Sequence, residues 1–130
     1  MNTKKKIIVP CSGIGKGFGS VTREATALIT DRLHPDRYRT VCLPLFVIGD
    51  EEAVRLVRES EVVTIDGCPK RCATVGVREA GGAPVMEIMV PKVLAENPTH
   101  KPGSVLDIGE GGRLLANDIA GRILQLEEKE

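Results

Sequence analysis

The chain has 130 residues, with 18 Lys plus Arg against 18 Asp plus Glu, so its formal net charge is zero. That balance gives no support to binding a phosphate backbone, and an aromatic content of 2% leaves few rings for stacking bases, so nucleic acid is not an expected partner. With 42% hydrophobic residues but no Trp, one Tyr and two Phe, the core must be aliphatic, and the length suits a single domain over 1–130.

The basic run Lys4 to Lys6 reads as a solvated lead-in, because the apolar stretch after it, Ile7 to Val9, is too short for a signal peptide. No apolar run is long enough to span a membrane. The expected compartment is the cytoplasm, where thiols stay reduced. Four cysteines there read as metal ligands or redox groups before disulfides.

Ile7 to Val9 suits a buried strand. Cys11 to Ser20 is a glycine-rich loop, and Ser20 reads as the N-cap of a helix that runs to about Leu33, ended by His34-Pro35. Tyr38 to Leu43 reads as a second strand. Asp50 is an N-cap for a helix over Glu51 to Glu59, with Ala53, Leu56 and Val57 on its apolar face. Val62 to Ile65 is a third strand, β-branched throughout. Pro69 suits the first turn of a helix that carries Cys72 and fades near Gly76. Val85 to Val90 is a fourth strand, and the prolines at its two ends suit a sheet edge. Lys92 to Glu96 reads as a helical turn, 97–103 as loop. A final helix runs from about Gly111 to Glu127, with Leu115, Ile119, Ile123 and Leu126 along one side. Strands alternating with helices predict a three-layer α/β fold, Rossmann- or flavodoxin-like, with about four parallel strands in the order 2-1-3-4.

In a parallel sheet the carboxyl ends of the strands share one edge, the edge on which open α/β sheets bind ligands. Cys11 follows the first strand, Cys42 ends the second, Cys68 follows the third and Cys72 lies four residues on, on the same face if both are helical. Cys11, Cys42, Cys68 and Cys72 are therefore candidate ligands of one ion, and four thiolates suit tetrahedral zinc. An iron–sulfur cluster is the alternative cofactor. Cys42 in a strand also fits a buried apolar filler. Thiol redox is a further reading, although Cys-x-x-x-Cys is not the thioredoxin spacing. Asp66 is a candidate to orient a ligand, and equally an ordinary turn former.

The segments Pro10-Cys11-Ser12-Gly13-Ile14-Gly15, Cys42-Leu43-Pro44 and Asp66-Gly67-Cys68-Pro69 with Cys72 resemble the DGC-domain family, named for the Asp-Gly-Cys tripeptide. The resemblance spans roughly Ile7 to Val90 and keeps all four characteristic cysteines. It implies a zinc-binding protein and supplies no reaction.

The glycine loop raises a rival. Its exposed amides at a helix start could bind an anion, with Gly13, Gly15, Lys16, Gly17 and Ser20 as candidate contacts. The sequence fails the Walker, dinucleotide and Cys-x5-Arg patterns, since Lys16 precedes Gly17 and position 17 is not arginine. Strand, cysteine, glycine turn and helix do resemble the phosphocysteine loop of sugar-phosphotransferase B subunits, which would make Cys11 a nucleophile and leave the other three cysteines unexplained. A tight turn with no ligand explains the glycines as well. His34 and His100 read as solvated loop residues.

Overall fold

A computed structural model of the chain describes residues 5–13 and 15–128; Lys4 and Ile14 lie outside the described residues. Four strands, β1 (Lys6–Pro10), β2 (Tyr38–Thr40), β3 (Val62–Asp66) and β4 (Pro84–Met89), form one sheet in the order β2-β1-β3-β4. All three pairings are parallel, as the alternation of elements predicted. The helices are α1 (Gly17–Ala27), which continues as a π-helical segment over Leu28–Leu33, α2 (Pro44–Val47), α3 (Glu51–Glu59), α4 (Cys72–Glu79), α5 (Val90–Glu96) and α6 (Gly109–Glu128).

β1 is the hub of the sheet, and its side chains alternate between two cores. Ile8 faces a core shared with Val63, Ile65, α1, α5 and α6. Ile7 and Val9 face the opposite core with Val57 of α3 and Val77 of α4. Both cores are largely aliphatic and packed against helices, so the sheet is covered on both faces and the fold is a three-layer α/β fold. Leu115, Ile119 and Ile123 of α6 are fully buried, and so is Tyr38 of β2.

β2 is shorter than its apolar pattern predicts, and Pro10 supplies the reason. Ile7 and Cys11 donate their amides toward β3, to Glu61 and Ile65, whereas Lys6 donates toward β2, to Arg37. Alternation makes Ile8 and then Pro10 the following positions on the β2 side, and proline has no N–H to give. The β1–β2 register ends at Ile8 with Thr40. Beyond it the chain leaves the sheet and opens space beside the end of β1.

Asp50 caps α3 as expected, accepting from the Ala53 amide at 3.0 Å. Ser20 does not cap α1. The helix begins three residues earlier, after extended Lys16, and Ser20 lies inside it, its hydroxyl donating to the Val105 carbonyl at 2.6 Å. A tertiary contact has taken the hydroxyl that the local pattern assigned to a cap.

Lys6 is not solvated either. It is buried in β1, with its ammonium 2.9 Å from Glu127 of α6. Tyr38 donates to the same carboxylate at 2.8 Å, and Arg37 reaches it at 2.8 Å. Burial pushes the Glu127 carboxyl up, but hydrogen bonds from Lys6 and Tyr38 and the charges of Lys6 and Arg37 outweigh it and hold it below its usual 4.5. A depressed folded-state value means stability that is present above about pH 4.5 and is lost as pH falls through the lower folded value. Glu127→Gln should therefore cost roughly 1–2 kcal/mol in denaturant unfolding at pH 7, with a smaller difference from the parent protein at acid pH, well below 4.5. An equal deficit at both pH values would show that packing, not charge, holds this contact.

Candidate functional site

The carboxyl edge of the sheet carries the cysteines. Cys11 continues the β1–β3 ladder by one step, donating its amide to Ile65 at 2.9 Å. Cys42 stands two residues past β2, exposed, so it fills no core. Cys68 is half-buried in the turn after β3, and Cys72, exposed, is the first residue of α4.

A cleft of about 1280 Å³ opens where β2 stops, and Cys11, Cys42 and Cys72 all line it. Phe46, Val47 and Val75 give it apolar walls. Cys68 is not among its lining residues. Among the described residues, no three Cys, His, Asp or Glu side chains stand close enough together to enclose a metal ion. The fold thus brings three of the four predicted thiols to one cleft without gathering them into a coordination shell.

Cys68 and Cys72 do not share a helical face. Pro69 sits in a turn, not in the first turn of a helix. Arg71 has a left-handed backbone with φ 55°, and its amide returns to the Cys68 carbonyl at 3.1 Å. The helix starts only at Cys72 and runs past Gly76 to Glu79.

Asp66 explains that start. It is 1% exposed, and its two carboxylate oxygens accept from the Ala73 amide at 2.8 Å, the Thr74 amide at 3.2 Å and the Thr74 hydroxyl at 2.7 Å. A strand-end carboxylate thereby caps the helix that presents Cys72, the work an N-cap side chain usually does from the adjacent residue. Thr64 of β3 closes the network with Thr74 at 2.7 Å. Gly67 is small for a different reason: a Cβ there would lie 3.1–3.2 Å from Phe18, in the first turn of α1. In the Asp-Gly-Cys run, the first residue fixes a helix, the second admits a neighbouring helix and the third carries sulfur.

The glycine loop folds back on α1. A Cβ on Gly19 would lie 1.7 Å from the Gly13 carbonyl oxygen, a distance no side chain can occupy. Lys16 and Gly17 line a separate depression of about 390 Å³ together with Lys101, and Gly13 and Gly15 are not among the residues lining the cysteine cleft. Ser20 is engaged by Val105 and by Arg23, which donates to its hydroxyl at 3.0 Å. The candidate anion contacts are therefore not gathered around Cys11. His100 is not a solvated loop residue, since its Nδ1 lies 2.6 Å from Asp118 of α6, and His34 packs near the Tyr38 ring at 6.4 Å.

Two residues at the site escaped sequence reasoning. Thr22 and Arg23, on the α1 turn behind Cys11, both hold Ser12, through its amide and its carbonyl respectively. The available signal was the repeat Thr22, Thr26, Thr30 at four-residue spacing, a polar stripe on an otherwise core-facing helix side.

The DGC domain family model matches residues 7–107 of this chain. Neither the curated proteins nor the solved structures compared with it give a match.

Gly19→Ala should destabilise the protein by roughly 1–3 kcal/mol, because the loop carbonyl must move. Gly15→Ala, with nothing within 4 Å of the new methyl, should leave thermal stability nearly unchanged. Equal melting temperatures for the two variants would contradict the close packing of the loop on α1.

Proposed function

This chain belongs to the DGC-domain family, and from that premise we propose that Cys11, Cys42, Cys68 and Cys72 are the ligands of one zinc ion in a reducing, cytoplasmic setting. Family membership and the four cysteines fit a metal-binding role. The observation that carries the reading is the convergence of Cys11, Cys42 and Cys72, which follow three different strands, on one cleft at the carboxyl edge. Cys68, three residues before Arg71 in the turn that leads to Cys72, is the fourth donor.

The donor set suits the ion. Thiolates are soft ligands, and a complete set of four leaves zinc no open position. Because the sulfurs are not gathered within coordination distance, binding draws the cleft walls together. The pieces that must move are short: the exposed segment around Cys42, and the turn holding Cys68. The core does not need the metal, since both faces of the sheet are already packed. The ion therefore organises the ligand-binding edge rather than rescuing the fold, which fits sensing or handling of metal better than a purely structural role. No helix among the described residues is long and apolar enough to cross a membrane.

Elemental analysis of anaerobically purified protein should give about one zinc per chain, and the protein should be colourless, whereas an iron–sulfur cluster would absorb visible light. Cys→Ser at each of the four positions should weaken zinc binding to a similar degree. A metal-free protein whose four thiols all alkylate freely would sink the proposal. Labelling by a phosphodonor that is lost only in Cys11→Ser would replace it with phosphocysteine transfer.

A further inference from the structure

Resting on the metal-binding reading above, we propose that Thr22 is a positioning residue for Cys11, its buried hydroxyl holding the strained Ser12 turn so that the Cys11 sulfur faces the cleft. Among the described residues only two other than glycine have a positive φ, Ser12 at 54° and Arg71 at 55°. They flank Cys11 and Cys72. Such backbone carries strain that persists only where the surroundings enforce it. At Arg71 the enforcement comes from the turn to Cys68 and the helix that Asp66 caps. At Ser12 it comes from α1.

Thr22 is 0% exposed, and its hydroxyl meets three groups. It donates to the Gly19 carbonyl at 2.6 Å. It accepts from the Ser12 amide at 3.1 Å, and the Cys11 sulfur lies 3.9 Å away. A hydroxyl has one proton, and the short contact to Gly19 uses it, so toward Ser12 and Cys11 the oxygen presents lone pairs. Arg23 fixes the other side of the same residue, donating to the Ser12 carbonyl at 2.9 Å. The strained residue is thus held at both its amide and its carbonyl by consecutive residues of one helix turn. One oxygen ties the first turn of α1 to the strained turn beside the sulfur, and because a metal-bound thiolate has no proton to offer that oxygen, the hold on Cys11 runs through the Ser12 amide. Groups that orient a ligand in this way typically set metal affinity by about 10–100-fold.

The test compares Thr22→Val, which keeps the shape and removes the oxygen, with Thr22→Ser, which keeps the oxygen. Zinc affinity should fall about 10–100-fold in Thr22→Val and stay within about threefold of the parent in Thr22→Ser. The cobalt-substituted Thr22→Val protein should lose one thiolate's share of its sulfur-to-cobalt charge-transfer absorption, and Thr22→Ser should restore it. A second arm needs no metal. In a Cys42→Ser, Cys68→Ser, Cys72→Ser background, iodoacetamide should modify Cys11 several-fold faster with Thr22→Val than with Thr22 or Thr22→Ser, because the turn is released. If Thr22→Val does not fold, Thr22→Ala removes the same oxygen, leaves Ser12 in place and carries the same measurements. Unchanged alkylation in Thr22→Val, or a Thr22→Ser protein as impaired as Thr22→Val, would overturn the assignment. A parent protein that binds no zinc, with the alkylation difference intact, would overturn the metal reading and leave Thr22 in its role.

Discussion

Cys11 donates its amide to Ile65 one step beyond the end of β1, and the site hangs from that hydrogen bond. It fixes the carboxyl end of β1 beside that of β3, so that the loop after one and the turn after the other leave the sheet side by side. Asp66, the last residue of β3, then reaches the amides of Ala73 and Thr74, and α4 begins where Cys72 can face the cleft. Parallel pairing is what allows this, because only then do consecutive strand ends open onto the same edge.

The same edge is shaped by a missing donor. Pro10 has no N–H to offer β2, the ladder stops at Thr40, and the chain turns into the segment that carries Cys42. A longer β2 would have kept Cys42 in the sheet and closed the cleft. The space beside β1 and the exposure of Cys42 therefore have a common cause, in a residue next to the first cysteine. The apolar side chains around the opening, Val47 at 85% and Ile48 at 75% exposure, belong to that same released segment.

Backbone strain is placed where the thiols are. Ser12 and Arg71 adopt conformations that ordinary residues avoid, and each is followed or preceded immediately by a cysteine. Rigid neighbours hold them: α1 through Thr22 and Arg23, and β3 through Asp66 and the cap of α4. The helix that completes the core over α1, α6, lies beyond the matched family region, which ends at residue 107. Its buried Leu115, Ile119 and Ile123, and the Glu127 contact to β1, anchor the sheet from the face opposite α3 and α4.

Hydrophobic periodicity and turn residues determined the fold class, the strand order and the position of each cysteine after a strand, because these depend on local pattern and on the rule that parallel strands need crossovers. Asp50 was legible as a cap for the same reason: its partner is three residues away. Residues whose partners are distant in sequence were read wrongly or missed. Ser20 serves Val105, Lys6 serves Glu127, His100 serves Asp118, and Thr22 serves Ser12, each separated by ten residues or more. The turn at Arg71 that separates Cys68 from the helix of Cys72 was equally hidden, since nothing in the composition of Pro69-Lys70-Arg71 announces a left-handed residue. The sequence by itself determined that Cys11, Cys42 and Cys68 belong to strand ends and that Cys72 lies on the helix after the third strand. Only the tertiary structure decided that three of them face one cleft, because where a loop side chain points depends on contacts closed between segments that no local pattern brings together.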